Sequence, residues 1–227
     1  NLLKYTGFVD IRTNDQEDSI IKENFTFSIV PSEFENIIIP KSIVASLSVL
    51  MIALILGVTE IKTGFIPLNF SERSKTVQRY GEGDFTLDMY GWRKIKPEFQ
   101  DIRQDAIEND LMKESDGMIA LKWYPLANFD YYVAYPLGID MYGFRDPAEI
   151  HKYAWINKER GDLKLGEDYW FLTESFDYCE PNKYLKPYFN EIIPIDTINI
   201  ERRGKTAKYV FVYKLDDLKK IPQTWFE

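Results

Sequence analysis

The longest apolar run in the chain predicts a helix that crosses a membrane. Residues 42–59 read SIVASLSVLMIALILGVT and contain no charged side chain. With Ile37-Ile38-Ile39 added, the run is about long enough to cross the roughly 30 Å hydrocarbon core of a bilayer. A buried helix of a soluble protein is the alternative, although such a helix usually keeps a polar face. We therefore predict a transmembrane helix over residues 37–66, after a polar loop over residues 1–36.

The flanks of this run bear on its type and orientation. It begins more than 35 residues into the chain, and no A-x-A-like cleavage site follows it, which argues against a signal peptide. Lys41 flanks the N-terminal side, whereas Lys62, Arg73 and Lys75 follow on the other side. The positive-inside rule therefore favours a cytoplasmic C-terminal domain by a small margin, and the orientation stays open at this point.

Beyond the span, the pattern changes from a polar linker to alternating helices and strands. Residues 67–86 are rich in Ser, Arg, Gly and charge and predict the linker. Short apolar runs predict strands at residues 118–121, 139–144 and 168–173. Apolar residues spaced by three and four predict an amphipathic helix; they are Trp92, Ile95, Phe99, Ile102 and Ala106.

The clearest local signal is Asp146-Pro147-Ala148-Glu149, which predicts a helix start. Asp can cap a helix, Pro fits its first position and Glu fits its third. We expect this helix to run to Arg160 and to stop at Gly161. On one continuous helix, His151 and Trp155 would share a face because they are four residues apart.

The end of the chain predicts a short helix and then a hairpin. The helix is expected over residues 184–190, and alternating runs at 192–200 and 207–215 flank Arg203-Gly204. Strands that alternate with helices predict an α/β fold. The expected soluble domain, residues 87–227, is a small three-layer, Rossmann-like, mostly parallel sheet with a C-terminal β-hairpin, preceded by the one transmembrane helix.

Composition excludes several function classes. The net charge of −8 and the pI near 4.9 argue against nucleic-acid binding. With one histidine and one cysteine, Cys179, a His/Cys zinc site and an internal disulfide are excluded, although a carboxylate metal site stays possible. Gly81-Glu82-Gly83-Asp84 has neither the spacing nor the preceding strand of a nucleotide-binding loop, and Ser175 lacks a nucleophile elbow. We expect no cofactor.

The stretch KWYPLANFDYYVAYPLG, residues 122–138, contains six aromatic residues. We expect a helix that begins near Pro125 and carries Phe129, Tyr132 and Tyr135 on one face. Phe129, Tyr132 and Val133 are expected to pack on the sheet. Asp88, which precedes the first helix of the domain, is expected to cap it rather than to act in catalysis.

Trp123 and Tyr124 come just past the carboxyl end of a predicted strand. In open α/β sheets that edge is where ligands bind. Aromatic faces can stack on the C–H surface of a sugar, and Lys122 could meet an anionic group. Packing in the core is the alternative interpretation of these rings.

Several stretches together resemble the C-terminal region of bacterial family 39 membrane glycosyltransferases, the group with protein-mannosyltransferase-like and aminoarabinose-transferase-like enzymes. The resemblance covers about residues 40–220. The stretches that carry it are LDMYGW (87–92), ALKWYPLANFDYYVAYPLGI (120–139), DPAEIHKYAWINKERGDLKLGEDYWFLT (146–173) and PIDTINIERRGKTAKYVFVYKL (194–215).

The resemblance implies a polytopic inner-membrane enzyme of the GT-C type. Such enzymes move a sugar from a polyprenyl-phosphate carrier to a lipid or protein acceptor on the outer face of the membrane. The tail domain would then be extracytoplasmic, against the charge count. The family's key acidic residues lie in a first outer loop that nothing in this chain matches, so no catalytic residue carries over.

In this interpretation the tail domain shapes the acceptor side of the cavity. The expected substrate-binding residues are Lys122, Trp123, Tyr124, Asp130, Tyr131, His151 and Trp155. A rival hypothesis is a single-span, non-enzymatic domain that binds a glycan or an envelope protein. A third is a structural tail that stabilises the membrane part by packing.

Overall fold

A computed structural model describes residues 5–7, 25–27, 40–66 and 76–221. The chain divides into two compact units, Asn1–Ala53 and Leu54–Glu227. In the first unit, Tyr5–Gly7 (β1) and Phe25–Phe27 (β2) pair in antiparallel fashion. The rest of the predicted polar loop lies outside the described residues, and so do residues 67–75 of the predicted linker.

The apolar run forms a single helix, Lys41–Thr63 (α1). It is long and apolar enough to cross a membrane, and none of its most apolar stretch is buried among the residues that the structure describes. A core helix of a soluble protein would be mostly covered by its neighbours. α1 therefore has the length, composition and exposure of a membrane anchor.

The larger unit contains a mixed α/β domain built on a five-stranded sheet. The strands are Gly117–Ala120 (β3), Met141–Gly143 (β4), Tyr169–Glu174 (β5), Phe189–Arg202 (β6) and Lys205–Leu218 (β7). β7 lies antiparallel between β5 and β6, while β3 lies parallel between β4 and β5. The predicted C-terminal hairpin is confirmed, and it turns at Arg203 and Gly204, which both have positive φ.

In the described part of the larger unit, five α-helices accompany the sheet. The predicted amphipathic helix is confirmed, and it continues without a break through Pro97. The helix predicted over residues 184–190 is wrong: Pro181 begins a shorter helix upstream, and Phe189 already belongs to β6. The helices are Trp92–Glu108 (α2), Trp123–Phe129 (α3), Pro147–Ile150 (α4), Tyr153–Glu159 (α5) and Pro181–Leu185 (α6).

Each face of the sheet is covered by an apolar cluster. Successive strand residues point to opposite faces. Met118 and Ala120 of β3 therefore pack in the cluster that includes α2 and α3, whereas Ile119 packs in the cluster that includes α6. The strands β3 and β5 are buried on both faces, whereas α2 and the edge strand β6 line an open groove.

The segment after β4 departs from the predicted single helix. Asp146 caps α4 as expected, accepting a hydrogen bond from the Ala148 amide at 2.9 Å. His151 then adopts φ = 53°, which ends α4 and separates it from α5. Contacts on either side of His151 hold the break. The buried Asn157 amide bonds to both backbone groups of Gly143, at 2.9 and 2.8 Å.

Candidate functional site at the carboxyl edge of the sheet

The carboxyl ends of β3, β4 and β5 meet at one edge, where the loops that follow them bring charged side chains together. Lys122 follows β3, Arg145 follows β4, and Asp177 follows β5. The buried Cys179 thiol interacts with all three charges. Burial raises the pKa of this thiol; Lys122 and Arg145 oppose the rise and Asp177 adds to it.

Both cations at this edge are paired with carboxylates, and we call these contacts the rim pairs. Lys122 Nζ lies 2.8 and 2.9 Å from the two carboxylate oxygens of Asp177. Burial lowers the pKa of Lys122, but the bonds to Asp177 outweigh it and the pKa is raised. Arg145 lies 3.7 Å from Glu149. Lys122 is therefore already held by a carboxylate, contrary to the picture of a free cation awaiting an anion.

Trp123 and His151 stack on each other beside the rim pairs, and we call them the aromatic platform. Their ring centroids lie 5.2 Å apart, with 10° between the planes. Lys122 has an extended backbone, and α3 begins at the next residue, Trp123. Pro125 is tolerated in the first turn of α3, because a backbone N–H there would have no partner within the helix. The Trp123 side chain is 47% exposed. An aromatic face therefore remains open to solvent at this edge.

His151 is held in a conformation that favours glycine. A positive φ in a residue with a side chain is uncommon and stores about 1–3 kcal/mol of strain. Such strain concentrates at ligand sites, where surrounding contacts enforce it. The break between α4 and α5 is the feature that brings the His151 ring onto Trp123.

Tyr124, the next residue, points inward. Its hydroxyl donates to the backbone carbonyl of Asp88, which also accepts from Trp92 Nε1 at 2.7 Å. Burial raises the pKa of the Tyr124 phenol, and the Asp88 carboxylate adds to this. Asp88 does not cap α2 as predicted, because α2 begins after Gly91, whose φ is 86°. Tyr124 thus anchors the wall behind the platform.

Behind this wall lies a fully buried ion pair between Lys208 and Glu174, which we call the inner pair. Lys208 Nζ donates to Glu174 Oε1 and, at 3.2 Å, to the Leu87 carbonyl. It also lies 4.4 Å from the ring centroid of Trp92. Burial raises the pKa of Glu174 to about 7, against the attraction of Lys208. Burial likewise lowers the pKa of Lys208, which Glu174 opposes.

The inner pair was missed by reasoning from the sequence. A signal was present in β7, because Lys208 occupies the same strand face as Val210 and Val212, both fully buried. A lysine in the buried register of a strand requires a buried partner. The sequence does not show which carboxylate supplies it, since Glu174 comes from a different strand.

A small cavity separates the inner pair from the rim. It is lined by Lys122, Tyr124, Glu174 and Asp177, among others. Its volume of about 20 Å³ has room for a single water molecule. At this edge, a sugar or other small molecule therefore fits on the outer surface, over the aromatic platform, and not in this cavity.

The structure places Asp130 in a structural network. It is buried and accepts hydrogen bonds from Tyr153 at 2.7 Å and Arg160 at 2.9 Å. Residues Asp130–Ala134 form a π-helical turn, which changes the register of the side chains that follow. Tyr135 is consequently exposed and does not share the face of the buried Phe129, contrary to the prediction from the helical spacing. The predicted packing of Phe129 and Val133 in the core is confirmed, and Tyr132 packs partly buried against it.

Tyr131 and Trp155 are exposed and separate from the platform. Tyr131 pairs with the Tyr132 ring at 4.8 Å. Trp155 lies on α5, beyond the break at His151. The prediction that His151 and Trp155 share one helical face is therefore wrong. No ring contact or hydrogen bond joins either residue to the platform in the described part of the chain. Of the expected site residues, the structure brings together Lys122, Trp123, Tyr124 and His151.

Across residues 40–66 and 76–221, no three His, Cys, Asp or Glu side chains are grouped as they would be around a metal ion.

Comparisons with known proteins found no relative of this chain. No protein-family model matches the chain, and no match was found among curated proteins or among solved structures.

Proposed function

We propose that the aromatic platform binds a sugar ring and that this chain is the C-terminal part of an integral-membrane glycosyltransferase. The observation that carries the proposal is the half-exposed stack of Trp123 on His151. An indole face packs well against the apolar C–H surface of a sugar. The strained backbone of His151 supports a role in ligand binding rather than in folding.

The rim pairs favour a ligand rich in hydroxyl groups. A lysine–carboxylate pair offers donors and acceptors side by side, and a sugar hydroxyl can use both. Lys122 and Asp177 are 35% and 44% exposed, so both are accessible from solvent. Because each rim cation is neutralised by its carboxylate, the rim adds no net charge that would select for an anion.

The fold supports the position of this site. We propose that the apolar clusters on both faces make the domain a small three-layer, Rossmann-like sheet, with β7 and β6 added as an antiparallel hairpin. In sheets of that kind, ligands bind outside the carboxyl ends of the parallel strands. The platform stands at the carboxyl end of β3.

In its specific form, the proposal is that the enzyme transfers a sugar from a polyprenyl-phosphate carrier to a lipid or protein acceptor. The domain would lie outside the bacterial inner membrane and shape the acceptor side, and the catalytic acids would lie outside this chain. Two observations support this form: the membrane-anchor character of α1 and the resemblance carried by stretches such as residues 120–139 and 146–173.

The test is sugar transfer in membranes that contain the intact protein, with a radiolabelled polyprenyl-phosphate sugar as donor. Trp123→Ala should reduce transfer about 2- to 10-fold, the loss expected for one aromatic contact. Trp155→Ala removes an equally large exposed indole away from the platform and should leave transfer unchanged. Equal activity of the wild type and Trp123→Ala would refute the role of the platform.

A second candidate function is a membrane-anchored domain that binds a glycan or an envelope protein without catalysis. It is favoured by the presence of one membrane-spanning candidate, α1, in the part of the chain that the structure describes. It predicts glycan binding by this chain in the absence of any carrier lipid. It also predicts that membranes containing the protein show no sugar transfer.

A further inference from the structure

The turn of the C-terminal hairpin lies against the end of α1. Gly64 follows the last residue of α1, and a Cβ atom placed there would come within 2.6 Å of Arg202 Nε. Glu60, in the last turn of α1, is only 6% exposed and accepts a hydrogen bond from the Ile66 amide at 2.9 Å. All these residues belong to the unit Leu54–Glu227. The end of the helix is therefore packed against the start of the turn.

Arg202 itself is occupied. Its guanidinium donates to Asp84 at 2.9 Å and to the Thr86 hydroxyl at 2.8 Å, and its side chain is 14% exposed. This anchoring fixes the position of the two turn residues that follow. Arg202 thus acts as a structural link between the hairpin and residues 84–86.

The next two basic residues, Arg203 and Lys205, are different, and we call them the turn cations. Both are exposed, and neither side chain forms a hydrogen bond or ion pair within the described residues. Arg203 and Gly204 have φ of 54° and 71°, the conformation of a tight two-residue hairpin turn. The turn therefore projects two unpaired cations into solvent.

The turn cations lie close to the level at which α1 leaves the apolar region. Each lies within three residues of Arg202, so its backbone is within roughly 11 Å of that anchor. Lys62, in the last turn of α1, is a third exposed cation at this level. Glu201 is an exposed carboxylate beside them, and Lys94 Nζ lies 2.6 Å from its carbonyl oxygen.

We propose that the turn cations bind the phosphate groups of anionic lipids in the membrane that α1 spans. The chain as a whole carries a net charge of −8, which opposes general attraction to an anionic surface, so the proposed contact is a local one. Cations within about a Debye length of an anionic bilayer are attracted to it. The contact orients the hairpin on the bilayer surface.

The experiment uses the full chain in lipid nanodiscs and measures amide hydrogen exchange across residues 202–206. Discs of phosphatidylglycerol and of phosphatidylcholine are compared. Slower exchange of the turn is expected in the anionic discs. Arg203→Gln/Lys205→Gln should lose that protection, by about 5-fold for each cation removed. An anionic surface lowers the local pH, which by itself slows amide exchange, and it does so equally for the wild type and the variant. The decisive comparison is therefore that of variant and wild type in the same phosphatidylglycerol disc.

The matched control is Lys186→Gln/Lys219→Gln, which removes two exposed lysines at the opposite end of the hairpin. It should keep the protection of the turn, and about 1 M salt should abolish the protection in the wild type. Equal exchange in both lipids, or equal exchange of wild type and turn variant in phosphatidylglycerol, overturns the proposal. Failure of the chain to insert into either disc also overturns it, since the proposal requires a spanning α1.

Discussion

The inner pair and the Lys122–Asp177 rim pair both join a lysine ammonium to a carboxylate at the same edge of the sheet, yet they differ in their exposure to solvent. Lys208 and Glu174 are 0% and 2% exposed, whereas Lys122 and Asp177 are 35% and 44% exposed. In the first case water is excluded, and the loss of either partner leaves a charge with no solvation. In the second, water can replace a lost partner. The stability of the fold should therefore depend on the inner pair, whereas the exposed rim remains available for ligands.

The comparison predicts its largest effect at the inner pair. Glu174→Ala removes the acceptor that holds the buried Lys208 ammonium and leaves a cavity in its place, so it should destabilise the domain by about 3–5 kcal/mol. Urea denaturation monitored by tryptophan fluorescence measures this change. A loss below about 1 kcal/mol would mean that water reaches the pair and that the distinction from the rim does not hold.

The stability that the inner pair contributes should depend on pH through Glu174. Burial raises the pKa of Glu174 to about 7, from its usual 4.5. The folded protein then binds more protons than the unfolded chain between these values. The contribution of Glu174 is therefore fully present below pH 4.5 and is lost as pH rises to 7. A ¹³C titration of the Glu174 carboxyl group checks the direction, which a pKa at or below 4.5 would reverse.

The platform allows stability and binding to be separated at His151. His151→Gly relieves about 1–3 kcal/mol of backbone strain. It also removes a ring stack of about 0.5–1.5 kcal/mol and adds entropy to the unfolded chain, so the net change in unfolding free energy should be within about 2 kcal/mol. Sugar binding should nevertheless fall. Thermal unfolding and a sugar titration measure the two quantities, and a variant that binds as the wild type does would exclude His151 from the site.

The smallest effect on stability is expected at the rim. Asp177→Ala removes an exposed partner of Lys122, and such pairs contribute about 0–1 kcal/mol. The same urea series used for Glu174→Ala measures it, so the two variants form a matched pair. A loss comparable to that of Glu174→Ala would show that the rim pair is structural and would weaken its assignment to ligand binding.

Local patterns predicted much of the fold. Spacings of three and four residues identified α2, the Asp146-Pro147 pair identified the start of α4, and alternation identified the hairpin of β6 and β7. These predictions succeeded because the spacing of apolar and polar residues within a helix or strand depends on that element alone.

Features that depend on contacts between elements were missed. The break at His151 is held by Asn157 and Gly143, which no local pattern connects. The π-helical turn at Asp130 is held by Tyr153 and Arg160. The position of Trp123 at a strand end was predictable, but its stacking on His151 depends on the break. The inner pair likewise joins two strands whose pairing the sequence does not specify.

The most direct test of the account is whether a sugar touches Trp123. Saturation-transfer-difference NMR on the full chain in detergent micelles, with methyl glycosides of mannose, glucose and galactose as probes, detects such contact through the C–H protons of the ring. The account predicts transfer to at least one glycoside in the wild type and in Trp155→Ala, and its loss in Trp123→Ala. Transfer of equal strength in Trp123→Ala, or none in the wild type, would contradict the claim that this edge binds sugars.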